Sequence, residues 1–476
     1  MRTIDTIYIN GDFIKPHGTE LFTLVDPVTE RPAAQVVLAD EVDTQQAIAA
    51  ATTAYAKLFD STREQRMGWL QRLHDVVANA EEELTEQMIE EYGGPRRISN
   101  LTAKRAAASF ADARTLLADY QFERQIGTAR VRMQPLGVVG LITPWNANYG
   151  FICSKLSMAV AAGSSVVIKP SELSARQTEL LTRILHRAEL PPGIFNIVTG
   201  RGDVVGAEIV RHSGIAKISF TGSTAVGKSI ARDGADTMKR ITLELGGKSP
   251  TILLDDADFT KAIPLAAAAA TLNSGQACLA GTRLLVPRSR QDEAHHAIVE
   301  AFDALKVGDP RGADIAIGPM VTRTQYERVQ GYIQQGIDEG ATLLTGGLGR
   351  PEGVEHGYFV RPTVFGNVRN DMRIAREEIF GPVLSVIAYD DEDDAVALAN
   401  DTVYGLHAYV FSGDLARANR VASRIVAGRI FINGLYDEPM APFGGFKQSG
   451  LGREFGMFGL EQYLEPKTLL GYEHSL

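Results

Sequence analysis

The chain has 476 residues and a mass of 51.6 kDa, too long for one ordinary hydrophobic core, so two large domains with a small appendage are expected. Hydrophobic residues make up 45% and charged residues 22%, and the net charge of -10 excludes a general nucleic-acid surface, which needs clustered Lys and Arg. No apolar run approaches the roughly 20 residues of a membrane span, residues 1–16 hold Asp5, Asn10 and Asp12 in place of a signal core, and the only two cysteines, Cys153 and Cys278, give no disulfide framework, so a cytoplasmic protein is expected.

Residues 6–14 alternate apolar and polar side chains around Asn10-Gly11, which predicts a β-hairpin. From residue 42 to 120 the spacing turns helical, with Leu70, Leu73, Val76 and Val77 on one face; these helices carry no catalytic signal and are expected to pack as cover. Residues 122–139 read as extended. Four short runs, 138–142, 165–168, 195–198 and 217–220, are largely apolar and separated by helical stretches, as in a parallel sheet covered on both faces. A second alternating set follows at 251–254, 282–286, 383–389, 407–411 and 429–433. The expected architecture is α/β, with two such domains meeting near Gly246 and Gly247.

Three side chains stand out chemically. Cys278 lies where an alanine-rich helix (Ala266 to Ala270) gives way to the turn Asn273-Ser274-Gly275, so the backbone can bring its sulfur close to a ligand. A lone cysteine is more often a small buried hydrophobe, and its company decides otherwise. Glu244 ends an apolar strand before Gly246-Gly247-Lys248, and Asn146 follows another in Thr143-Pro144-Trp145-Asn146.

These segments, together with Ile168-Lys169-Pro170-Ser171-Glu172, Phe220-Thr221-Gly222-Ser223-Thr224, Glu377-Glu378-Ile379-Phe380-Gly381-Pro382-Val383 and Pro442-Phe443-Gly444-Gly445-Phe446-Lys447, come in one order and spacing between about Val131 and Arg453. In that order they resemble the NAD(P)-dependent aldehyde dehydrogenase superfamily. The resemblance implies a doubly wound cofactor domain (residues 1–120 and 137–246), a second α/β catalytic domain (247–450) and a small β element for oligomerisation (121–136 and 462–476), in which residues 122–139 pair with a C-terminal strand at 467–472. A homodimer or homotetramer is the implied assembly.

The same resemblance assigns Cys278 as nucleophile, Asn146 and the Cys278 backbone N–H as oxyanion donors, and Glu244 as the base that activates water. A carboxylate among apolar residues should have its proton affinity raised, which suits that task. The cofactor's neighbours become Ile142, Trp145, Lys169, Ser171, Glu172, Gly202, Gly222, Ser223, Leu245, Glu378 and Phe380. Glu172 can accept from ribose hydroxyls and would repel a 2′-phosphate, so NAD is expected, with NADP as the alternative. After Asn146 the family commonly has an aromatic residue and proline where this chain has Ala147-Asn148, and Ser154 stands where many relatives carry a bulky aromatic. These departures point to a roomier or more polar channel for the aldehyde, with Tyr149 and Phe443 as lining residues.

Three other readings compete. Gly222 to Ser229 fits the phosphate-binding pattern G-x-x-x-x-G-K-[ST], with Asp255-Asp256 as possible magnesium ligands of a P-loop nucleotidase; the strand expected at 239–245 leaves no space for the usual crossover. A coenzyme A-acylating enzyme would use the same thioester without hydrolysis, and a non-catalytic binding protein would need none of Cys278, Glu244 and Asn146. Gly200-Arg201-Gly202-Asp203-Val204-Val205-Gly206 departs from the ordinary dinucleotide fingerprint. No metal site is read: His295-His296 lacks partners, and residues 390–394 suit the acidic first turn of a helix.

Overall fold

A computed structural model describes residues 2–472. The chain opens with strands β1 (Arg2–Ile4), β2 (Ile7–Ile9), β3 (Asp12–Ile14), β4 (Leu21–Val25) and β5 (Pro32–Val37). The hairpin read at Asn10-Gly11 is β2–β3, with Ile7 opposite Ile14, and it adds to the edge of a larger sheet. Four helices follow: α1 (Glu41–Leu58), α2 (Arg63–Ala78), α3 (Glu81–Tyr92) and α4 (Arg96–Asp119). Leu70, Leu73 and Val77 of α2 and Ala103, Phe110 and Leu117 of α4 share one core, a stripe at helical spacing buried against neighbours.

After the strands β6 (Glu123–Ile126) and β7 (Ala129–Pro135), strand and helix alternate: β8 (Val139–Ile142), α5 (Asn148–Ala162), β9 (Val166–Lys169), α6 (Ala175–His186), β10 (Phe195–Ile197), α7 (Ala207–Arg211), β11 (Lys217–Thr221), α8 (Thr224–Gly234) and β12 (Arg240–Glu244). The sheet order is β12-β11-β8-β9-β10-β2-β3, parallel from β12 to β10, with a short strand at Gly450–Leu451 (β20) outside β12. Every residue of β8, β9, β10 and β11 is buried, as a strand covered on both faces requires.

A second sheet takes the next stretch: β13 (Pro250–Leu253), α9 (Phe259–Ala270), β14 (Arg283–Pro287), α10 (Gln291–Asp303), α11 (Arg323–Asp338), β15 (Thr342–Thr345), β16 (Thr363–Gly366), α12 (Arg373–Arg376), β17 (Val383–Tyr389), α13 (Glu392–Asn400), β18 (His407–Phe411), α14 (Leu415–Arg424) and β19 (Arg429–Ile432). Its order is β15-β16-β17-β14-β13-β18-β19, and only β15 runs antiparallel. The chain changes sheets between Glu244 and Pro250, then returns to the first through β20 (Gly450–Leu451), which pairs with β12.

The chain ends with α15 (Gly456–Glu461), numbered after α14, and β21 (Leu464–Leu469). β21 pairs antiparallel with β7 from Leu464 opposite Pro135 to Leu469 opposite Arg130. The strand expected at 467–472 therefore begins three residues earlier. It tolerates Pro466 because β21 is an edge strand, where a missing N–H can face away from the ladder, and it ends before Gly471, whose φ of +71° turns the chain. Of the element expected at 462–476, residues 473–476 lie outside the described residues.

Candidate active site

The segment carrying Cys278 is built by backbone that few residues adopt. Helix α9 ends at Ala270, and Asn273, Ser274 and Gly275 then take φ values of 53°, 59° and 74°, three consecutive left-handed residues. Such conformations persist only where surroundings impose them. Here the cause is close packing: a Cβ on Gly275 would lie 2.2 Å from the Gly381 carbonyl carbon, so the backbone of 273–278 rests directly on the run that carries Glu378 and Phe380.

Gln276 fixes the segment further. Its Nε2 donates to the Tyr92 hydroxyl (3.1 Å) and the Pro319 carbonyl (3.2 Å), and its Oε1 accepts from Val321 N–H (3.0 Å). Its own carbonyl accepts from Asn146 Nδ2 at 2.9 Å. An amide nitrogen carries two N–H groups, so this bond holds the buried Asn146 against the segment that carries Cys278 and leaves a second donor. Asn146 and Cys278 line the same cleft, of about 250 Å³, with Glu244, Trp145 and Phe151.

The cleft lies where the two sheets meet, at Gly246-Gly247. A Cβ on Gly246 would lie 2.6 Å from Glu378 Oε2, and one on Gly247 would lie 2.5 Å from the Cys278 carbonyl oxygen. Two residues without side chains thus let the Glu378 carboxylate and the Cys278 backbone approach closely. Gly247 N–H donates to Glu378 Oε1 at 3.0 Å.

Electrostatically the site disfavours charge. Glu244 is buried with neither carboxylate oxygen hydrogen-bonded, and desolvation, reinforced by Glu454, holds its proton affinity well above the usual carboxylate range. Glu454 itself is paired with buried Lys155 and accepts from Ser219 Oγ at 3.2 Å. Burial raises Glu378 to about 7. Burial also pushes the Cys278 thiol up to about 12, helped by the negative charges of Glu378 and Glu244. The local feature that would raise the thiolate fraction is therefore not supplied by these side chains.

A second cavity of about 620 Å³ adjoins the first, and Pro144, Thr221 and Gly222 line both. Ile142, Lys169, Ser171 and Gly202 line this second part; Trp145, Ser223, Leu245, Glu378 and Phe380 line the first. Glu172 lines neither, but its Oε2 accepts from buried Lys169 Nζ at 3.2 Å, which sets it at the edge of the second part. Ser223 caps α8, its Oγ accepting from Val226 N–H, so the helix N-terminus faces the shared wall. Thr221 Oγ1 is buried there with no partner. A long cleft with a helix N-terminus at its middle, an unsatisfied hydroxyl and carboxylates toward each end fits a dinucleotide.

Neither of the two expected lining residues reaches the cleft. Tyr149 is fully buried in the helical core and feels Glu91, Glu83 and Arg176, so its ring points away from the cleft. A helix turns about 100° per residue, and on α5 it is Phe151 that reaches the cleft. Ser154 is also buried, its Oγ donating to the Phe151 carbonyl. Phe443 is half-buried against His407 and Phe455 and does not line the cleft.

Sequence reading missed Gln325 and Arg328 on α11. Gln325 Nε2 donates to the Phe380 carbonyl (2.8 Å) and Arg328 to the Glu378 carbonyl (2.7 Å), and both line the first cleft. In sequence they are polar positions of an amphipathic helix, with nothing to separate them from solvent-facing neighbours. The nucleotidase reading fails on topology: β12 fills the place beside β11, and Asp255 and Asp256 sit past β13 in the other sheet, where Arg417 pairs with both.

A doubly wound sheet with a dinucleotide-shaped cleft that ends at a cysteine, an amide and a desolvated carboxylate defines a nicotinamide-dependent oxidoreductase working through a thiol. The chain belongs to the aldehyde dehydrogenase family, whose profile matches residues 13–469. It is 43% identical over 477 residues to a 3-succinoylsemialdehyde-pyridine dehydrogenase of a Pseudomonas species, covering 100% of each chain. Among solved structures it superposes on a mutant aldehyde dehydrogenase C of Pseudomonas syringae, in complex with NAD+ and octanal, with TM-score 0.97 and 44% identity over 98% of this chain and 97% of that one. The NAD+ complex of an aldehyde dehydrogenase of Bacillus cereus is similar at TM-score 0.94 and 36% identity, over 98% and 96% of the two chains.

Proposed function

We propose that the protein oxidises an aldehyde to the free carboxylic acid with NAD, using Cys278 as nucleophile, Asn146 as oxyanion donor and Glu244 as base. The observation that carries this reading is the meeting of those three side chains at one end of a cleft long enough for a dinucleotide. The Cys278 sulfur, as thiolate, bonds to the aldehyde carbon and places a negative charge on its oxygen. The free N–H of Asn146 and the Cys278 backbone N–H stabilise that oxygen. Bound NAD supplies the hydride acceptor. Cys278 then carries a thioester, and Glu244 takes a proton from water, which attacks the acyl carbon and releases the acid and the thiolate.

Glu378 would hold the ribose hydroxyls next to the nicotinamide and Glu172 those of the other ribose, with Gly202 a neighbour of the cofactor, and Glu172 beside Lys169 favours NAD over NADP. The aldehyde is an uncharged one with an apolar body: Trp145 and Phe151 wall the cleft, and the Pseudomonas syringae relative was crystallised with octanal. Residues 1–120 and 137–246 form the cofactor domain and 247–450 the catalytic domain. The sheet β21-β7-β6 serves assembly into a homodimer or homotetramer, since β6 is exposed along its length, with Ile126 at 65% and Leu470 nearby in sequence to β21 at 79%. Two free thiols suit a cytoplasmic setting.

The test is a panel of aldehydes offered with NAD and NADP, with and without coenzyme A. NADH and free acid from apolar aldehydes are the expected products; a strict need for coenzyme A, or no reduction of either nucleotide, overturns the reading.

A further inference from the structure

The last turn of α3 belongs to the helices that the sequence marks as mere cover, yet two of its adjacent side chains reach both halves of the site. Glu91 is buried, and its two oxygens accept from the backbone N–H groups of Arg176 (2.7 Å) and Gln177 (2.8 Å), in the first turn of α6. That turn has no side-chain cap of its own, so the cap comes from a residue 85 positions away. Immediately before it in sequence stand Lys169, Ser171 and Glu172, at the second part of the cofactor cleft. The neighbouring Tyr92 is equally buried. Its hydroxyl accepts from Gln276 Nε2, and its ring packs 5.8 Å from Trp145, next to Asn146. Gln276 is the residue whose carbonyl holds the Asn146 amide, two positions before Cys278.

We propose that Glu91 and Tyr92 are positioning residues: Glu91 sets the loop that holds the cofactor's far end, and Tyr92, through Gln276, sets the nucleophile and the oxyanion donor. The inference rests on the oxidation chemistry proposed above. One rigid helical turn thereby fixes the spacing between the loop at 169–172 and the segment 273–278, which belong to different sheets. The two contacts separate cleanly by substitution. Glu91→Gln keeps the size but turns an N–H₂ toward a backbone N–H, leaving a buried donor unpaired. Tyr92→Phe keeps the ring against Trp145 and removes only the hydroxyl.

Both variants are measured in the full-length protein for NAD affinity by fluorescence titration, for the rate of Cys278 alkylation by iodoacetamide without cofactor, and for kcat with an apolar aldehyde. Glu91→Gln should weaken NAD about fivefold and leave alkylation within about twofold, the scale of one lost buried hydrogen bond. Tyr92→Phe should leave NAD affinity within about twofold while alkylation speeds up and kcat falls, each about fivefold, as the segment loosens. Exposed Glu83→Gln on the same helix is the control. Equal losses in both readouts from both variants, or a fall in melting temperature with both readouts unchanged, would overturn the proposal. Alkylation needs neither NAD nor aldehyde, so an unchanged rate in Tyr92→Phe overturns it even if the parent oxidises nothing. Should Glu91→Gln not fold, Tyr92→Phe carries the test alone.

Discussion

Asn146 Nδ2 donates to the carbonyl of Gln276 at 2.9 Å, which ties the proposed oxyanion donor to the segment that presents Cys278. The amide is oriented before any substrate arrives, and such preorganisation is what makes a donor catalytically strong. Asn146→Ala should lower kcat by about 100- to 1000-fold while NAD affinity stays within about twofold. Steady-state kinetics with a separate NAD titration checks this; a change in affinity with kcat intact contradicts it.

Glu244 has no hydrogen-bond partner on either oxygen, so its replacement by Gln breaks no hydrogen bond of the fold. Glu244→Gln should fold normally and release a burst of NADH near one equivalent per active site, followed by acid release at least about 100-fold slower, the usual scale of general base catalysis. Stopped-flow absorbance reads the burst. A variant turning over at the parent rate would assign the base elsewhere.

The Cys278 thiol, pushed up to about 12, is neutral at physiological pH when the cleft holds no ligand. Because the thiolate is the nucleophile, alkylation by iodoacetamide without NAD should rise about tenfold per pH unit between pH 7 and 9, with no plateau. A plateau below pH 8 would mean that a cation, not seen among the neighbouring side chains, stabilises the thiolate.

Glu378 titrates at about 7 in the fold against an ordinary value of 4.5. The folded state therefore holds its proton longer than the unfolded chain, and stability falls as pH rises from 4.5 to about 7. Glu378→Gln removes that loss, which is about 3 kcal/mol at most above pH 7. Its melting temperature without cofactor should match the parent at pH 4.5 and exceed it at pH 8. An equal difference at both pH values contradicts the burial of charge at this position.

The strands were readable because a buried parallel strand is apolar at nearly every position: 383–389, broken only by Ser385, and 407–411, after His407, coincide with β17 and β18 to the residue. Cys278, Glu244 and Asn146 were readable as a resemblance in order and spacing, and the fold brings them to one cleft. Tyr149 and Phe151 show the limit. Two aromatics two positions apart on α5 look alike in sequence, and only the helix's rotation against its core decides which one faces the cleft. Glu91, Tyr92, Gln325 and Arg328 were invisible for a related reason: each acts on backbone groups or side chains tens of residues away, a pairing with no periodic signature. The early start of β21 was hidden by Pro466, which reads as a strand breaker unless the strand is known to lie at an edge.

In the proposed reaction Cys278 carries the acyl group between oxidation and hydrolysis. Acid-quenching the Glu244→Gln protein within its burst with octanal and NAD, then weighing the peptide that contains Cys278, tests it directly. The expected result is an octanoyl adduct on that peptide, in amount equal to the NADH formed and lost on treatment with hydroxylamine; NADH formed with the peptide unmodified would contradict the account.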